Sequence, residues 1–167
     1  MARSKRGDDP EENHDALWRS LSPNVGVGAV FLLRDDQVNP ASAGGKRHPY
    51  AIISGSPLPD DPPRLALGRT VQLSLRTSFK VDEHGPMPTT LEEQDAFSYM
   101  GGIFSPAGEL PSLDLPGVFT NWQCTIRVRD LANGAFVGWL PKDRIDRLTF
   151  RMRRPLPGLP YPPVGRV

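Results

Sequence analysis

Two short stretches of the chain hold residue types suited to docking a polyanion. The first is Gly44-Gly45-Lys46-Arg47-His48-Pro49-Tyr50, which runs into Ala51-Ile52-Ile53-Ser54. Arg47 can fork onto two phosphate oxygens and stays charged at any working pH. His48 carries an imidazole, whose free pKa of about 6.5 suits a proton acceptor or donor near neutrality. The second stretch is Arg76-Thr77-Ser78-Phe79, where two adjacent hydroxyls can donate hydrogen bonds to the same oxygens. Together these types could dock a polyanion and move a proton beside it if one site collects them. Lys46 and Arg76 add further cations, and the rings of Tyr50, Phe79 and Trp122 are candidate stacking platforms for bases. The plainer reading of the same residues is a solvated basic hairpin tip, strand-end hydrogen bonds and aromatic packing.

Other chemistries find less support. His14 and His84 lack partners at metal-ligand spacing, so neither a metal nor another cofactor is expected. Glu92, Glu93 and Asp95 read as helix-capping and solvated carboxylates rather than a hydrolytic pair. Gly26-Val27-Gly28 lacks the third glycine and following helix of a phosphate-cradling loop. The single Cys124 excludes an intrachain disulfide and a Cys-rich zinc site, and reads as a small core residue. Lys and Arg number 20 against 19 Asp and Glu, so any polyanion site must be local. No run approaches the roughly 18 apolar residues of a membrane span, and the basic start Met1–Arg6 leads into no apolar segment. A cytoplasmic protein with no membrane association is the expectation.

The elements that must position these residues are short. Nineteen prolines and 16 glycines, about one residue in five, favour strands and turns over long helices. Residues 1–8 read as a disordered basic start. Asp9-Pro10-Glu11-Glu12 opens a helix to about Ser20 that puts Leu17 and Leu21 on one face. Alternation predicts strands over 25–33, 49–54 and 69–77, the last with Val71, Leu73 and Leu75 buried and Thr70, Gln72, Ser74 and Arg76 on an open face. Residues 34–47 form a polar loop between the first two, and four prolines over 57–63 make a turn. Thr89-Thr90-Leu91-Glu92-Glu93 carries two overlapping capping boxes and starts a helix to about Met100, stopped by Gly101-Gly102. Ile103 to Gly117 is irregular. A strand over 123–131 turns at Asn133-Gly134 into a partner strand over 136–140, and Pro141 opens a terminal helix. The fold class is therefore mainly β with added helices: a small, bent antiparallel sheet or barrel closed by a C-terminal helix.

This order of motifs resembles the MazF/PemK family of toxin endoribonucleases. Gly28-Ala29-Val30-Phe31 is similar to the family's opening G-D-I-V-W-V strand, without its Asp. Lys46 to Ser54 resembles G-x-R-P-A-V-V-L-S. Val71 to Ser78 resembles V-x-P-L-T-S, and Gly138-Trp139-Leu140 through Leu148 resembles the closing helix. These blocks cover about half of the chain. The resemblance implies an SH3-like barrel spanning 24–150 with an insertion over 80–117, preceded by the start and short helix of 1–22 and followed by a Pro/Arg-rich tail over 151–167. It also implies a homodimer, a possible antitoxin partner, and metal-independent cleavage of single-stranded RNA to a 2′,3′-cyclic phosphate and a 5′-hydroxyl. The family's arginine before the strand proline corresponds to His48, with Arg47 one residue earlier, and its Thr-Ser pair to Thr77 and Ser78. Such cleavage needs a proton acceptor, a stabiliser of charge on the phosphorane and a proton donor for the leaving oxygen, and the resemblance gives those roles to Arg47, His48, Thr77 and Ser78, with Lys46, Tyr50, Arg76 and Phe79 as RNA contacts. Three outcomes stay open there: Arg47 takes the arginine's role through a one-residue shift, His48 replaces it chemically, or catalysis is lost. The competing readings are a non-catalytic SH3-like module that binds nucleic acid or protein, and an assembly protein whose proline-rich tail is an interaction arm.

Overall fold

A computed structural model describes residues 10–39, 45–55, 60–98 and 102–153. Among these residues six antiparallel strands form one curled sheet, a half-barrel. In chain order they are β1 (Ala29–Arg34), β2 (Arg47–Ser54), β3 (Thr70–Ser78), β4 (Ile103–Ser105), β5 (Gly117–Arg127) and β6 (Ala135–Trp139). Their spatial order is β4-β5-β3-β2-β1-β6. The main helices are α1 (Pro10–Leu21), α2 (Asp35–Val38), α3 (Pro63–Gly68), α4 (Val81–His84), α5 (Leu91–Ser98) and α6 (Lys142–Arg153). The mainly β class, the antiparallel sheet and the C-terminal helix are as the alternation and Pro141 predict. The stacking candidate Trp122 has its backbone in β5, but its side chain lies outside the description, as do Asp9 and residues 154–167.

The sheet is buried on both faces, not one. Ala29, Phe31, Leu33, Tyr50, Ile52, Val71 and Leu73 pack on one side with Leu21 of α1 and Leu67 of α3. Val30, Ala51, Ile53 and Phe119 pack on the other with Ile103, Leu110, Leu140 and Leu148 of α6. The face of β3 expected to be open is therefore covered: Ser74 is fully buried and Arg76 nearly so. A period-2 pattern of apolar and polar residues does not distinguish water from a second layer that supplies hydrogen-bond partners. Here the segment after α5 supplies that layer.

The Asn133-Gly134 hairpin is absent. Val128–Asn133 form a 3-10 helix instead, and β6 pairs with β1 at the far side of the sheet from β5. Val128 and Leu131 are both buried, and their three-residue spacing puts them on one side of a 3-10 turn, aimed into the core. Asp130 fixes its start by accepting from the Arg127 N–H at 3.3 Å. Burial of two aliphatic side chains outweighs a local turn preference of the order of 1 kcal/mol. Gly134 serves close approach rather than a left-handed turn: its φ is −121°, and a Cβ there would fall on the Leu32 carbonyl oxygen.

The loop expected over 34–47 contains α2, whose Val38 is buried. Of the two overlapping capping boxes, Thr90 with Glu93 forms: the Glu93 N–H donates to Thr90 Oγ1 at 3.1 Å, while the Thr89 and Thr90 N–H groups donate to Glu93 Oε1. Those bonds, Thr89's first, hold the Glu93 carboxyl below the usual carboxylate range. Cys124 lies on β5 against the first core, and burial pushes its thiol up to about 12. At pH 8 the native thiol should react with a disulfide reagent roughly 1,000-fold more slowly than free cysteine, and at the ordinary rate in guanidinium. A native rate close to the free one would show that β5 opens.

Candidate functional site

Pro49 prepares the site. It lacks an N–H, and the β2–β3 ladder reaches no further than Tyr50↔Leu75, while Arg47, His48 and Pro49 pair only with β1. Beyond that point β2 and β3 part, and a cleft of about 300 Å³ opens between them. Its walls are Leu32, Arg47, His48, Pro49, Arg76 and Ser78 from the sheet, and Ser112, Leu113, Asp114 and Leu115 from the segment between β4 and β5. Four residues singled out from the sequence thus meet at one cleft: Arg47, His48, Arg76 and Ser78. Lys46 is exposed beside it.

Strand alternation then sorts these residues by face. Ala51 and Ile53 face the second core, so Arg47 and Pro49 share that side, as do Arg76 and Ser78 on β3. Tyr50 and Ile52 face the first core, which puts the His48 and Thr77 side chains on that side. Thr77 does not line the cleft, so the Thr-Ser pair is split between the two faces. His48 reaches the cleft at its rim, where the sheet ends.

Asp35, unmarked in the sequence reading, organises the His48 side. Its backbone N–H donates to the Lys46 carbonyl at 2.8 Å. Its carboxylate accepts from His48 Nδ1 at 2.8 and 2.9 Å and from the Tyr50 hydroxyl at 2.7 Å. With the proton held on Nδ1, the neutral ring keeps its lone pair on Nε2. The His48 side chain is 28% exposed, so it can exchange protons with a bound group or solvent. Tyr50 is 1% exposed and cannot stack on a base; burial, with the Asp35 bond next, pushes its phenol up. Phe79 is partly buried, its ring packed among Phe97, Phe104 and His84.

On the cleft side Arg76 is 6% exposed. Its Nε donates to Ser105 Oγ at 3.0 Å, and its Nη2 to the carbonyls of Leu115 at 2.9 Å and Ser105 at 3.4 Å. The Ser105 hydroxyl donates to Glu109 Oε1 at 2.7 Å, and Arg144 of α6 donates to Glu109 Oε2 at 2.6 Å. Arg76 thereby ties the cleft wall to the sheet. Burial pulls its guanidinium down from the ordinary value, with Glu109 partly offsetting this. Gly117 makes room: a Cβ there would lie 2.5 Å from the Arg76 Cζ. Nothing in sequence spacing signals Glu109 or Arg144, which lie 35 residues apart. Asp35 had a faint signal, a carboxylate directly after a strand in the loop leading to His48.

Among the described residues no group of three His, Cys, Asp or Glu is placed to hold a metal ion, and no helix is long and apolar enough to cross a membrane. Comparison of the chain with protein-family models, with curated proteins and with solved structures returned no match.

Proposed function

We propose that the protein is a metal-independent endoribonuclease that binds single-stranded RNA across the open end of β2 and β3. The observation that carries this reading is the joint presence of Arg47, His48, Arg76 and Ser78 at one cleft, with the imidazole oriented by Asp35. His48 Nε2 accepts the 2′-hydroxyl proton, and the 2′-oxygen attacks the adjacent phosphorus. Arg47 and the Ser78 hydroxyl stabilise the added charge on the phosphoryl oxygens. The P–O5′ bond breaks to leave a 2′,3′-cyclic phosphate and a 5′-hydroxyl, the leaving oxygen taking a proton from water or from the imidazolium. The curled antiparallel sheet is compatible with the SH3-like barrel of the MazF/PemK toxins, and on that likeness a homodimer and an antitoxin partner belong to the same proposal.

A second reading has its own support. The His48 side chain lies on the opposite face of the sheet from Arg76 and Ser78 of β3, an arrangement suited to binding a phosphate without transferring a proton. The test is incubation of the purified protein with single-stranded RNAs of varied sequence in EDTA, with end-group analysis. Cleavage leaving cyclic phosphate ends is expected. Intact RNA that is nonetheless retained by the protein would replace the enzyme with the binding module.

A further inference from the structure

Three buried charges lie behind the cleft and do not cancel. The Glu109 and Arg144 side chains are 5% and 8% exposed, and Arg76 is 6% exposed. One carboxylate serves two guanidiniums, and its direct contact is with Arg144. It reaches Arg76 only through Ser105, whose single hydroxyl proton goes to Glu109 and whose oxygen accepts from Arg76. The Nη1 of Arg76 has no acceptor among the described residues and is not sealed from solvent, and Arg76 lines the cleft. Removing a charge from water without a direct counter-ion is costly, and an entering anion relieves that cost. Arg47, Ser78 and Ser112 line the same space; Asp114 is there too, but exposed.

We propose that the cleft is an oxyanion site for a phosphate group, with Arg76 as its buried cation, and that the Glu109–Arg144 pair sets how much of that charge reaches the ligand. Glu109 and Arg144 are then positioning and charge-setting residues, neither touching the ligand. This deepens the ribonuclease reading and rests on it only for the claim that the natural anion is a phosphodiester.

The experiment is titration of inorganic phosphate into the full chain at low ionic strength, followed by calorimetry and amide chemical shifts. Arg76→Gln should weaken binding at least 10-fold. Glu109→Gln leaves both guanidiniums uncompensated and should tighten it about 3- to 10-fold, whereas Arg144→Gln frees Glu109 for Arg76 and should weaken it by a similar factor. Damage to the fold would move both variants the same way, so the opposite signs are diagnostic. Absence of phosphate binding by the wild type overturns the proposal, as do same-direction or null shifts in variants with native near-ultraviolet dichroism. Should Arg144→Gln not fold, Glu109→Gln alone decides, with tightening supporting the site and anything else overturning it. Should neither fold, an Arg76→Gln affinity equal to the wild type overturns it and a loss supports it. Phosphate binding that depends on Arg76 without RNA cleavage sustains this site and removes the ribonuclease reading. Cleavage with phosphate binding indifferent to Arg76 does the reverse.

Discussion

Replacing Arg47 with alanine should lower RNA cleavage by about 100- to 1,000-fold while leaving the fold intact. The guanidinium is exposed at the start of β2, so its loss uncovers no core, and a preorganised charge donor is worth that much in rate. His48→Gln should have an effect of about the same size for a different reason. Glutamine keeps a donor toward Asp35 but cannot accept the 2′-hydroxyl proton. Asp35→Asn should mimic His48→Gln by releasing the Nδ1 proton that fixes the ring. Two hydroxyl variants locate the reacting phosphate. Ser78→Ala should slow cleavage if the phosphate lies in the cleft, with Thr77→Ala near wild type. The reverse pattern would put the reaction on the His48 face. Rates of Arg47→Ala and His48→Gln within threefold of wild type would remove the assignment of both residues.

The largest effect on stability should come from Phe119→Ala. Phe119 is fully buried in the second core, paired on one side with Ile103 of β4 and on the other with Arg76 of β3. Truncation leaves a cavity under the strand that carries the cleft's buried cation, at a cost of about 3–5 kcal/mol. Domains of this size hold about 5–15 kcal/mol in total, so the variant should unfold at a markedly lower urea concentration with its transition slope unchanged. Phe119→Leu keeps most of the volume and should lose much less. A drop below about 1 kcal/mol for the alanine variant would mean that β4 and β5 do not close over this side of the sheet.

What the sequence determined by itself was local. Alternation in Val25–Leu33, Pro49–Ser54 and Arg69–Thr77, and the Pro141 helix start, follow from periodicity and backbone sterics, and they suffice for a mainly β chain with a C-terminal helix. The first strand in fact opens at Ala29, four residues later than alternation placed it. The position of Arg47 and His48 at a strand mouth was legible for the same reason. Tertiary structure decided the rest. Asn133-Gly134 carries a strong hairpin signal, yet Val128 and Leu131 gain more from the core than a turn offers, so the strand that follows pairs with β1. Arg76 reads as a solvated strand residue, yet a second layer from residues 103–117 buries it and provides Ser105, Glu109 and the Leu115 carbonyl as partners. The division of the candidate site between two faces, with His48 on Asp35 and Arg76 on Ser105, depends on which surfaces of the sheet are covered. Covering is a property of contacts between residues 13 to 46 positions apart, and no local propensity encodes it.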